Sequence, residues 1–392
     1  MTGGAAAADA GSEVGGGLEA GDAVGAVSKT RGPRLLAVDA LRGIAVLLMI
    51  EQHLGAWLWK VPEGHKVWDF PGLVAINALG GGAAPAFITV AGVGAALFVP
   101  TRRRPDRTMV IRGLLVMGFG LLLNLMAPNW FSWRSWFVLH LMGFGMATTP
   151  LWRRLSSRAL LVTTGAILLT TPMLLAALDT PGYLPGRRMA GFSGAFGGEA
   201  MPWAVWRLAL AEGQFPIFPW LSFYLLGMVA GRALLDGRQS AIVRLGFASL
   251  AAGGLGLALF AAGVPGIVEL PRYFKFNVPF FPATPAFVVA IGGLVLLTLA
   301  AFLAFERRYT MSPRGPLVVL GRASLTLLLS HVVLFREGGM AFGFWKSFGA
   351  GQTLVILAAV FFAAVVLCRA WERVGYAFGA EWVLRRLTPR DS

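Results

Sequence analysis

The stretch that decides the fold runs from Arg34 to Trp59 and reads RLLAVDALRGIAVLLMIEQHLGAWLW. A helix of about 20 mostly apolar residues crosses a bilayer once, so this stretch is long enough to span. Its apolar run is interrupted by four ionisable side chains, Asp39, Arg42, Glu51 and His53. Because charge is costly inside a membrane, such residues usually face a cavity or a partner and mark function. The stretch therefore predicts a membrane helix that carries chemistry.

The composition extends the membrane assignment to the whole chain. Of 392 residues, 56% are hydrophobic and 14% are charged, whereas soluble domains carry about 25% charged residues. The net charge of +15 does not indicate nucleic acid, because the basic residues lie in short clusters between apolar runs, where membrane topology explains them. The single cysteine, Cys368, excludes an internal disulfide.

Ten apolar runs are long enough to cross a bilayer. They are 35–59, 73–99, 108–127, 135–151, 159–178, 215–234, 241–263, 283–305, 316–335 and 351–375. If the N-terminus is cytosolic and the spans alternate, most of the 34 Lys and Arg residues fall on the cytosolic side, as the positive-inside rule requires. We predict an all-α integral membrane protein with about ten transmembrane helices and both termini in the cytosol.

The rest of the chain organises around this membrane region. Residues 1–30 are rich in Gly and Ala and have no signal-peptide pattern, so they predict a disordered cytosolic tail. The membrane domain then covers 31–376, and 377–392 form a short cytosolic tail. Two outer loops, 179–214 and 263–282, are rich in Pro, Gly and aromatic residues. They are either binding walls or plain connectors.

The four histidines all fall toward the outer face in this topology: His53, His65, His140 and His331. His53 is the best candidate for a catalytic base or nucleophile, because neutral imidazole can take a proton from a hydroxyl or an amine. The alternative is a packed histidine bonded to a backbone carbonyl. His65, on an outer loop, is the second candidate. The spacing does not match a zinc site, and no metal is expected.

Charged residues near the two membrane faces are further candidates. Asp39 and Arg42 share one helix face at the cytosolic end, where an internal ion pair is the simpler role. The alternative is that Arg42 binds the phosphates of a cytosolic cofactor beside Asp39, with Arg103 assisting, although such loop clusters usually only anchor topology. Candidates for substrate binding on the outer side are His331, Arg336, Glu51 and Arg272.

Five segments in fixed order carry a family resemblance. They are VDALRGIAVLLMIEQH, GGAAPAFITVAGVGAAL, FPIFPWLSFYLLGMVAGR, FFPATPAFVVAIGGL and LGRASLTLLLSHVVLF. Together they resemble the heparan-alpha-glucosaminide N-acetyltransferase-like group of bacterial membrane proteins. That group belongs to the wider transmembrane acyltransferase superfamily, which includes acyltransferase family 3. The resemblance covers residues 34–376.

The resemblance implies transfer of an acyl group, usually acetyl, from cytosolic acyl-CoA to a sugar or glycan across the bacterial cytoplasmic membrane. It also implies a catalytic histidine near the outer ends of the early spans. The acyltransferase-3 pattern matches His53, and the heparan enzyme's pattern matches His65, which precedes Trp68. The Asn-rich turn and the eleventh span of the heparan enzyme are absent, so its glucosaminide substrate is not carried over.

The predicted partners are acyl-CoA, an extracytoplasmic glycan or small acceptor, and the lipid bilayer. A homodimer is a further candidate, and no nucleic-acid partner is expected. The rival prediction is a transporter or flippase for a lipid-linked or small anionic substrate, since intramembrane charges and a Gly-rich body fit that class too. A third is a structural partner in an envelope-assembly complex. Covalent change of an acceptor distinguishes the enzyme from both.

Overall fold

The computed structural model describes residues 35–180, 204–275 and 282–389, and their regular structure is helical. Strand-like pairing within these residues is limited to an isolated bridge between Trp59 and Phe348. The predicted all-α class is therefore confirmed. The predicted tail 1–30 lies outside the described residues, as do most of the outer loop 179–214 and part of the loop 263–282.

The helices follow the predicted apolar runs closely. In chain order they are α1 Leu36–Leu58, α2 Pro71–Leu79, α3 Ala83–Phe98, α4 Pro105–Met126, α5 Val138–Ala147, α6 Thr149–Trp152, α7 Ser157–Ala177, α8 Ala204–Arg207, α9 Ile217–Leu235, α10 Gln239–Ala261, α11 Pro285–Arg308, α12 Pro316–Arg322, α13 Ser324–His331, α14 Gly338–Ala341, α15 Ala350–Glu372 and α16 Ala380–Leu387. Short 3-10 turns join α2 to α3 and extend α3, and π-helical segments follow α8 and α13.

Membrane-spanning helices make up most of the bundle. By length and composition, 7 helices in the described part of the chain can cross a membrane, or up to 8 if a bent pair counts as one span. Neither α1, with its charges, nor the 10-residue α5 is among them. The chain is thus a multi-pass membrane protein, while ten spans and cytosolic termini remain predictions.

The charged helix α1 is at the centre of the packing. It contacts α3, α11 and α12, and its buried face includes the carboxylate-bearing Asp39. The carboxylate of Glu306, on α11, accepts hydrogen bonds from the backbone N–H groups of Leu36 (2.7 Å) and Ala37 (3.0 Å). These are two of the N–H groups that the first turn of a helix leaves without an internal partner. The start of α1 is therefore fixed by another span.

Glycine brings α1 against the broken span. The α-carbon of Gly43 lies so close to Leu317 on α12 that a Cβ would overlap the Leu317 carbonyl oxygen. Gly321, on α12, meets the Asp39 carbonyl oxygen in the same way. Gly227 and Gly231 make similar close contacts between α9 and α3, as small residues allow between membrane helices.

The predicted run 316–335 is a broken helix rather than one straight span. The segments Pro316–Arg322 and Ser324–Ala341 meet at 76°, with the break at Ala323. Beyond His331 the backbone is π-helical from Val332 to Glu337. Such π segments often occur at functional sites, because they change the direction in which neighbouring side chains point.

Part of the segment predicted as a C-terminal tail forms the helix α16, which packs against the broken span. The Glu381 carboxylate accepts hydrogen bonds from the backbone N–H groups of Leu325 (2.6 Å) and Thr326 (3.1 Å), and from the Thr326 hydroxyl (2.6 Å). A carboxylate in this place caps the exposed N–H groups at the start of α13. The cap comes from a residue remote in sequence.

Candidate functional site

A cavity of about 810 Å³ lies at the end of the bundle where α1 finishes. The walls come from α1, the α2–α3 region, α4 and the chain after it, α5, and the segment from α13 to α14. Its polar lining residues are Gln52, His53, Asn77, Asn129, Gln214, His331 and Arg336. Two of the sequence candidates for chemistry, His53 and His331, therefore share one cavity.

The two histidines are bonded to each other. His53 Nδ1 lies 2.8 Å from His331 Nε2, and the ring planes differ by only 3°. The other ring nitrogen of His331, Nδ1, lies 3.0 Å from the backbone carbonyl oxygen of Leu327. His331 is buried and His53 partly buried. The packing of α1 along the broken span brings these residues together across 278 positions of sequence.

Tryptophan rings enclose the imidazole of His53. Trp57, one helical turn further along α1, stacks on it with ring centroids 5.0 Å apart. Trp130, in the chain after α4, meets it edge-on at 4.9 Å. These rings fix the plane of the His53 ring and line the cavity with flat apolar surfaces.

Arg336 lies at the same cavity, as its predicted outer position allows. Its guanidinium donates to the Asn129 carbonyl oxygen at 2.7 Å and lies over the rings of Trp345 (4.7 Å) and Trp130 (5.4 Å). Asn129 in turn donates its side-chain amide to Glu337 at 2.5 Å. The buried Arg336 Nε has no hydrogen-bond partner among the described residues. The hydrogen-bonding capacity of this cation is thus not fully used by the described residues.

A loop after α14 holds the cavity wall to the end of α1. The backbone N–H of Lys346 donates to the Trp57 carbonyl oxygen at 2.8 Å, and that of Phe348 donates to Leu58 at 3.1 Å. Burial lowers the pKa of the Lys346 ammonium below its usual range. These bonds place Trp345 over Arg336 and tie both residues to the helix that carries His53.

His65 and His140 lie away from this cavity. His65 is exposed on the loop between α1 and α2, with Nδ1 at 3.2 Å from the Glu63 carbonyl oxygen. His140 is buried on α5, where its ring packs at 5.1 Å from Phe137. Neither histidine lines the cavity. The structure therefore separates the two candidates for the catalytic base, His53 and His65.

Two other candidates from the sequence, Glu51 and Arg272, are not among the residues that line the cavity. The Glu51 side chain lies beside Asn77 on α2, whose amide donates to the Gln52 carbonyl oxygen at 2.9 Å, and the buried Glu51 Oε2 has no partner among the described residues. Glu51 faces away from His53 and does not line the cavity, although Asn77 does. The backbone of Arg272 lies in the short 3-10 helix Arg272–Phe274, while its side chain lies outside what the structure describes.

The opposite end of α1 carries the predicted ion pair. Arg42 donates to Asp39 at 3.3 Å, and the Asp39 carboxylate also lies 3.7 Å from Arg322 Nε. Arg322 pairs in turn with Glu372 at 2.7 Å. The buried Asp39 carboxylate therefore belongs to a charge network that connects α1, α12 and α15, and this network holds Arg42 in place.

Arg112 has three basic neighbours, and together they form the arginine cluster, defined here as Arg42, Arg102, Arg112 and Arg385. The charges of the other three act on Arg112, which is partly buried on α4. Arg102 and Arg112 both lie against the ring of Phe98, at 4.8 and 5.2 Å. Arg103, the loop candidate from sequence, is exposed next to this cluster in the chain.

Sequence reasoning missed Arg112 and Arg385. A signal for Arg112 was present, because a positive charge two turns into the apolar helix Pro105–Met126 is costly without a role. Arg385 had no comparable signal, since its helix lies in the predicted tail. Such convergent guanidinium groups bind phosphate well. Arg42 precedes His53 by about 16 Å along α1, at 1.5 Å per residue.

Within residues 35–180, 204–275 and 282–389, no group of three or more His, Cys, Asp or Glu side chains is arranged so that it could hold a metal ion. Within the cavity, a neutral imidazole can accept and return a proton. The arginine cluster can hold an anion. These two capacities lie at opposite ends of one helix.

The fold and the site together define a multi-pass helical membrane protein with an imidazole pair in an internal cavity. The family model described as "Heparan-alpha-glucosaminide N-acetyltransferase, catalytic" matches residues 34–258, more than half of the chain, and the chain belongs to this family. A second model, "Protein of unknown function (DUF418)", matches residues 231–391. No curated protein matches the chain. Membership identifies a membrane acyltransferase, and the relation to acyltransferase family 3 remains a prediction.

Proposed function

We propose that this protein transfers an acetyl group from cytosolic acetyl-CoA to a hydroxyl or amine of an extracytoplasmic sugar or glycan, in a bacterial cytoplasmic membrane. His53 acts as the base. The observation that carries this proposal is the His53–His331 pair within the cavity, at the end of α1 opposite the arginine cluster. One helix thus presents a proton acceptor at one end and an anion-binding group at the other.

The arginine cluster is the candidate site for the CoA phosphates. Guanidinium groups bind phosphate oxygens in pairs, and their hydrogen bonds to a charged partner are stronger than neutral ones. Asp39 fixes Arg42 by its ion pair, and the exposed Arg103 is placed to guide the donor to the cluster. The pantetheine arm then has to reach along α1 toward His53, which delivers the thioester to the cavity.

The reaction needs one proton transfer in each direction. His53 removes the proton of the acceptor hydroxyl or amine while the oxygen or nitrogen bonds to the thioester carbonyl carbon. The carbon–sulfur bond then breaks, and the departing thiolate takes the proton back from His53. Acetyl ester or amide and free CoA are the products. The alternative is that His53 itself takes the acetyl group first, which leaves label on the protein.

Acceptor binding falls to the aromatic and polar groups around the same cavity. Trp130 and Trp345 are partly exposed and line the cavity with aromatic surface that suits the apolar face of a sugar ring. Arg336, with its Nε not used by the described residues, is the candidate for an oxygen-rich group of the acceptor. Arg272 and Glu51 remain candidates for the acceptor path, the first from the outer loop and the second through Asn77.

The test is acetyl-CoA turnover by the purified protein in lipid nanodiscs, with radiolabelled acetyl-CoA and a panel of amino and neutral sugars. We expect CoA release and labelled sugar with wild type and with His65→Ala, and loss of both with His53→Ala. Matched thermal unfolding shows that each variant is folded. Turnover retained by His53→Ala but lost in His65→Ala would transfer the role to the loop histidine.

Transport is the second candidate function, because one observation favours it. Broken helices line the substrate sites of many transporters, and the span Pro316–Arg322 and Ser324–Ala341 is bent by 76°. Uptake of an unmodified anionic sugar into proteoliposomes, without CoA release, would replace the enzyme proposal. Covalent labelling of the sugar without net uptake supports the enzyme.

A further inference from the structure

We propose that His331 is a positioning residue that fixes the tautomer of His53, leaving His53 Nε2 as the nitrogen that takes the acceptor proton. This inference rests on the proposed function, in which His53 is the base, and assigns to His331 a role other than substrate binding. It follows from a chain of hydrogen bonds that runs from a backbone carbonyl through two imidazole rings.

The first bond decides the state of His331. The Leu327 carbonyl oxygen can only accept a hydrogen bond, and His331 Nδ1 lies 3.0 Å from it. Nδ1 of His331 must therefore carry the hydrogen. In a neutral imidazole only one nitrogen is protonated, so His331 Nε2 is left with a lone pair.

The second bond transfers that decision to His53. Its Nδ1 lies 2.8 Å from His331 Nε2, and two lone pairs cannot share so short a contact. His53 Nδ1 must therefore carry a hydrogen and donate it. Both rings are taken as neutral, because burial disfavours a charged imidazole at either position and the positive charge of Arg336 disfavours a second cation at His53.

The remaining nitrogen of His53 is then a free base. With Nδ1 protonated, Nε2 keeps its lone pair, and no hydrogen bond of the described residues uses it. Histidine in water prefers the opposite tautomer, with hydrogen on Nε2, which cannot accept a proton there. His331 therefore supplies what the chemistry needs, and Trp57 and Trp130 hold the ring in one plane. A base oriented by a third group is a recurring catalytic arrangement.

In one catalytic cycle, His53 gains one proton and loses one proton. His53 Nε2 gains the acceptor proton while the new bond to the acetyl carbon forms, and the ring becomes an imidazolium that still donates from Nδ1 to His331. The carbon–sulfur bond breaks, and the CoA thiolate takes the proton from Nε2. His53 returns to its starting tautomer, and His331 neither gains nor loses a proton.

The same contacts argue against direct substrate binding by His331. Both of its ring nitrogens are engaged, one by Leu327 and one by His53, so none is left for a ligand. It is buried to 3% exposure. The π-helical segment begins directly after it and places Arg336, rather than His331, beside the open part of the cavity.

Two substitutions of similar polarity separate the roles. In His331→Gln the side-chain oxygen takes the place of Nε2 and can accept from His53 Nδ1. In His331→Asn the shorter side chain reaches the place of Nδ1 and leaves His53 without an acceptor. We therefore expect His331→Gln to keep the tautomer and His331→Asn to lose it.

The decisive measurement is nitrogen NMR of the full-length protein with ¹⁵N-labelled histidine in nanodiscs, without substrate. His53→Gln, His65→Gln and His140→Gln variants assign the signals. We expect a protonated Nδ1 and an unprotonated Nε2 for His53 in wild type and His331→Gln, and proton transfer to Nε2 in His331→Asn. A protonated Nε2 in wild type, or no change in His331→Asn, overturns the inference.

Acetyl-CoA kinetics separate this inference from the proposed function. We expect kcat to fall about 100-fold in His331→Asn with the KM for acetyl-CoA unchanged, the size typical of a lost general base, and to recover in His331→Gln. The expected tautomer without acetyl transfer by any variant overturns the proposed function and leaves the tautomer assignment standing. Transfer that depends on His53 but not on its tautomer overturns the positioning role.

Discussion

The two ends of α1 differ in their surroundings: aromatic rings surround one end, and charged side chains surround the other. At the cavity end, His53 contacts His331, Trp57 and Trp130, and its immediate neighbours are rings. At the other end, Asp39 and Arg42 belong to a network of charges beside the arginine cluster. The first arrangement surrounds the proposed base with aromatic rings. The second keeps several cations together at a partly exposed face, where an anionic ligand would relieve their repulsion.

This difference separates rate from affinity. A neutral base within aromatic walls acts on the reacting proton, so its loss lowers the chemical step. A cluster of cations distant from that proton acts on ligand binding, which an excess of ligand restores. If the two ends have these separate roles, substitutions at one end change kcat and those at the other change KM.

The largest effect is expected at the cavity end. His53→Ala removes the base and should lower kcat by about 10²–10⁴-fold, with the KM for acetyl-CoA close to wild type. Steady-state CoA release at saturating acetyl-CoA measures this. His140→Ala, which removes a buried histidine outside the cavity, is the control for general loss of packing. Equal loss of kcat in both variants would contradict a special role for the cavity end.

A smaller effect of the opposite kind is expected at the arginine cluster. Arg112→Gln removes a charge-assisted contact worth about 1.5–3 kcal/mol, so the KM for acetyl-CoA should rise by roughly ten- to a hundred-fold. kcat at saturation should stay near wild type. Arg154→Gln, at an exposed position in the turn after α6, is the matched control.

Acetyl-dephospho-CoA, which lacks the 3′-phosphate, sharpens this test. If Arg112 faces that phosphate, the variant and wild type should have similar KM values for the shortened donor. A rise in KM that is equal for both donors would place Arg112 near the pyrophosphate instead. An unchanged KM for both would remove the cluster from the donor site.

Sequence revealed the charged helix and its surroundings because that information is local. Apolar length predicts spans, and a charge inside an apolar run predicts function, so His53, Arg42 and Asp39 stood out. The bond from His53 to His331 depends instead on packing across 278 positions. Gly321 had the form of any membrane glycine, and only the fold shows that it meets α1.

The break at Ala323 and the cap from Glu381 were invisible for the same reason. The stretch LGRASLTLLLSH contains no proline, and its apolar run continues across the break. What stabilises the bend is a carboxylate more than 50 residues away in sequence. The difference between His53 and His65 likewise depends on the fold, since both lie near the end of α1 in sequence but only His53 reaches the cavity.

Both ends of α1 depend on its contact with α12, and glycine allows the two helices to come this close. Gly321→Ala would place a methyl group on the Asp39 carbonyl oxygen, and such overpacking costs about 1–3 kcal/mol or more. We expect a lower unfolding temperature and loss of both kcat and donor affinity, since the helix that carries both sites shifts. Gly118→Ala, on α4 with open space around it, should leave both unchanged. Equal effects in the two variants would argue against a specific contact.

The smallest effect is expected at the cap on α13. Glu381→Ala removes the acceptor of the Leu325 and Thr326 N–H groups and should cost about 0.5–2 kcal/mol. Because α13 ends at His331, looser packing there should lower kcat a few-fold and leave the KM for acetyl-CoA unchanged. Hydrogen exchange at Leu325 and Thr326 measures the opening directly. The exposed Glu63→Ala is the control. Faster exchange with unchanged kcat would show that the His53–His331 pair does not depend on this cap. A raised KM for acetyl-CoA would instead mean that the C-terminal helix acts through Arg385 at the arginine cluster.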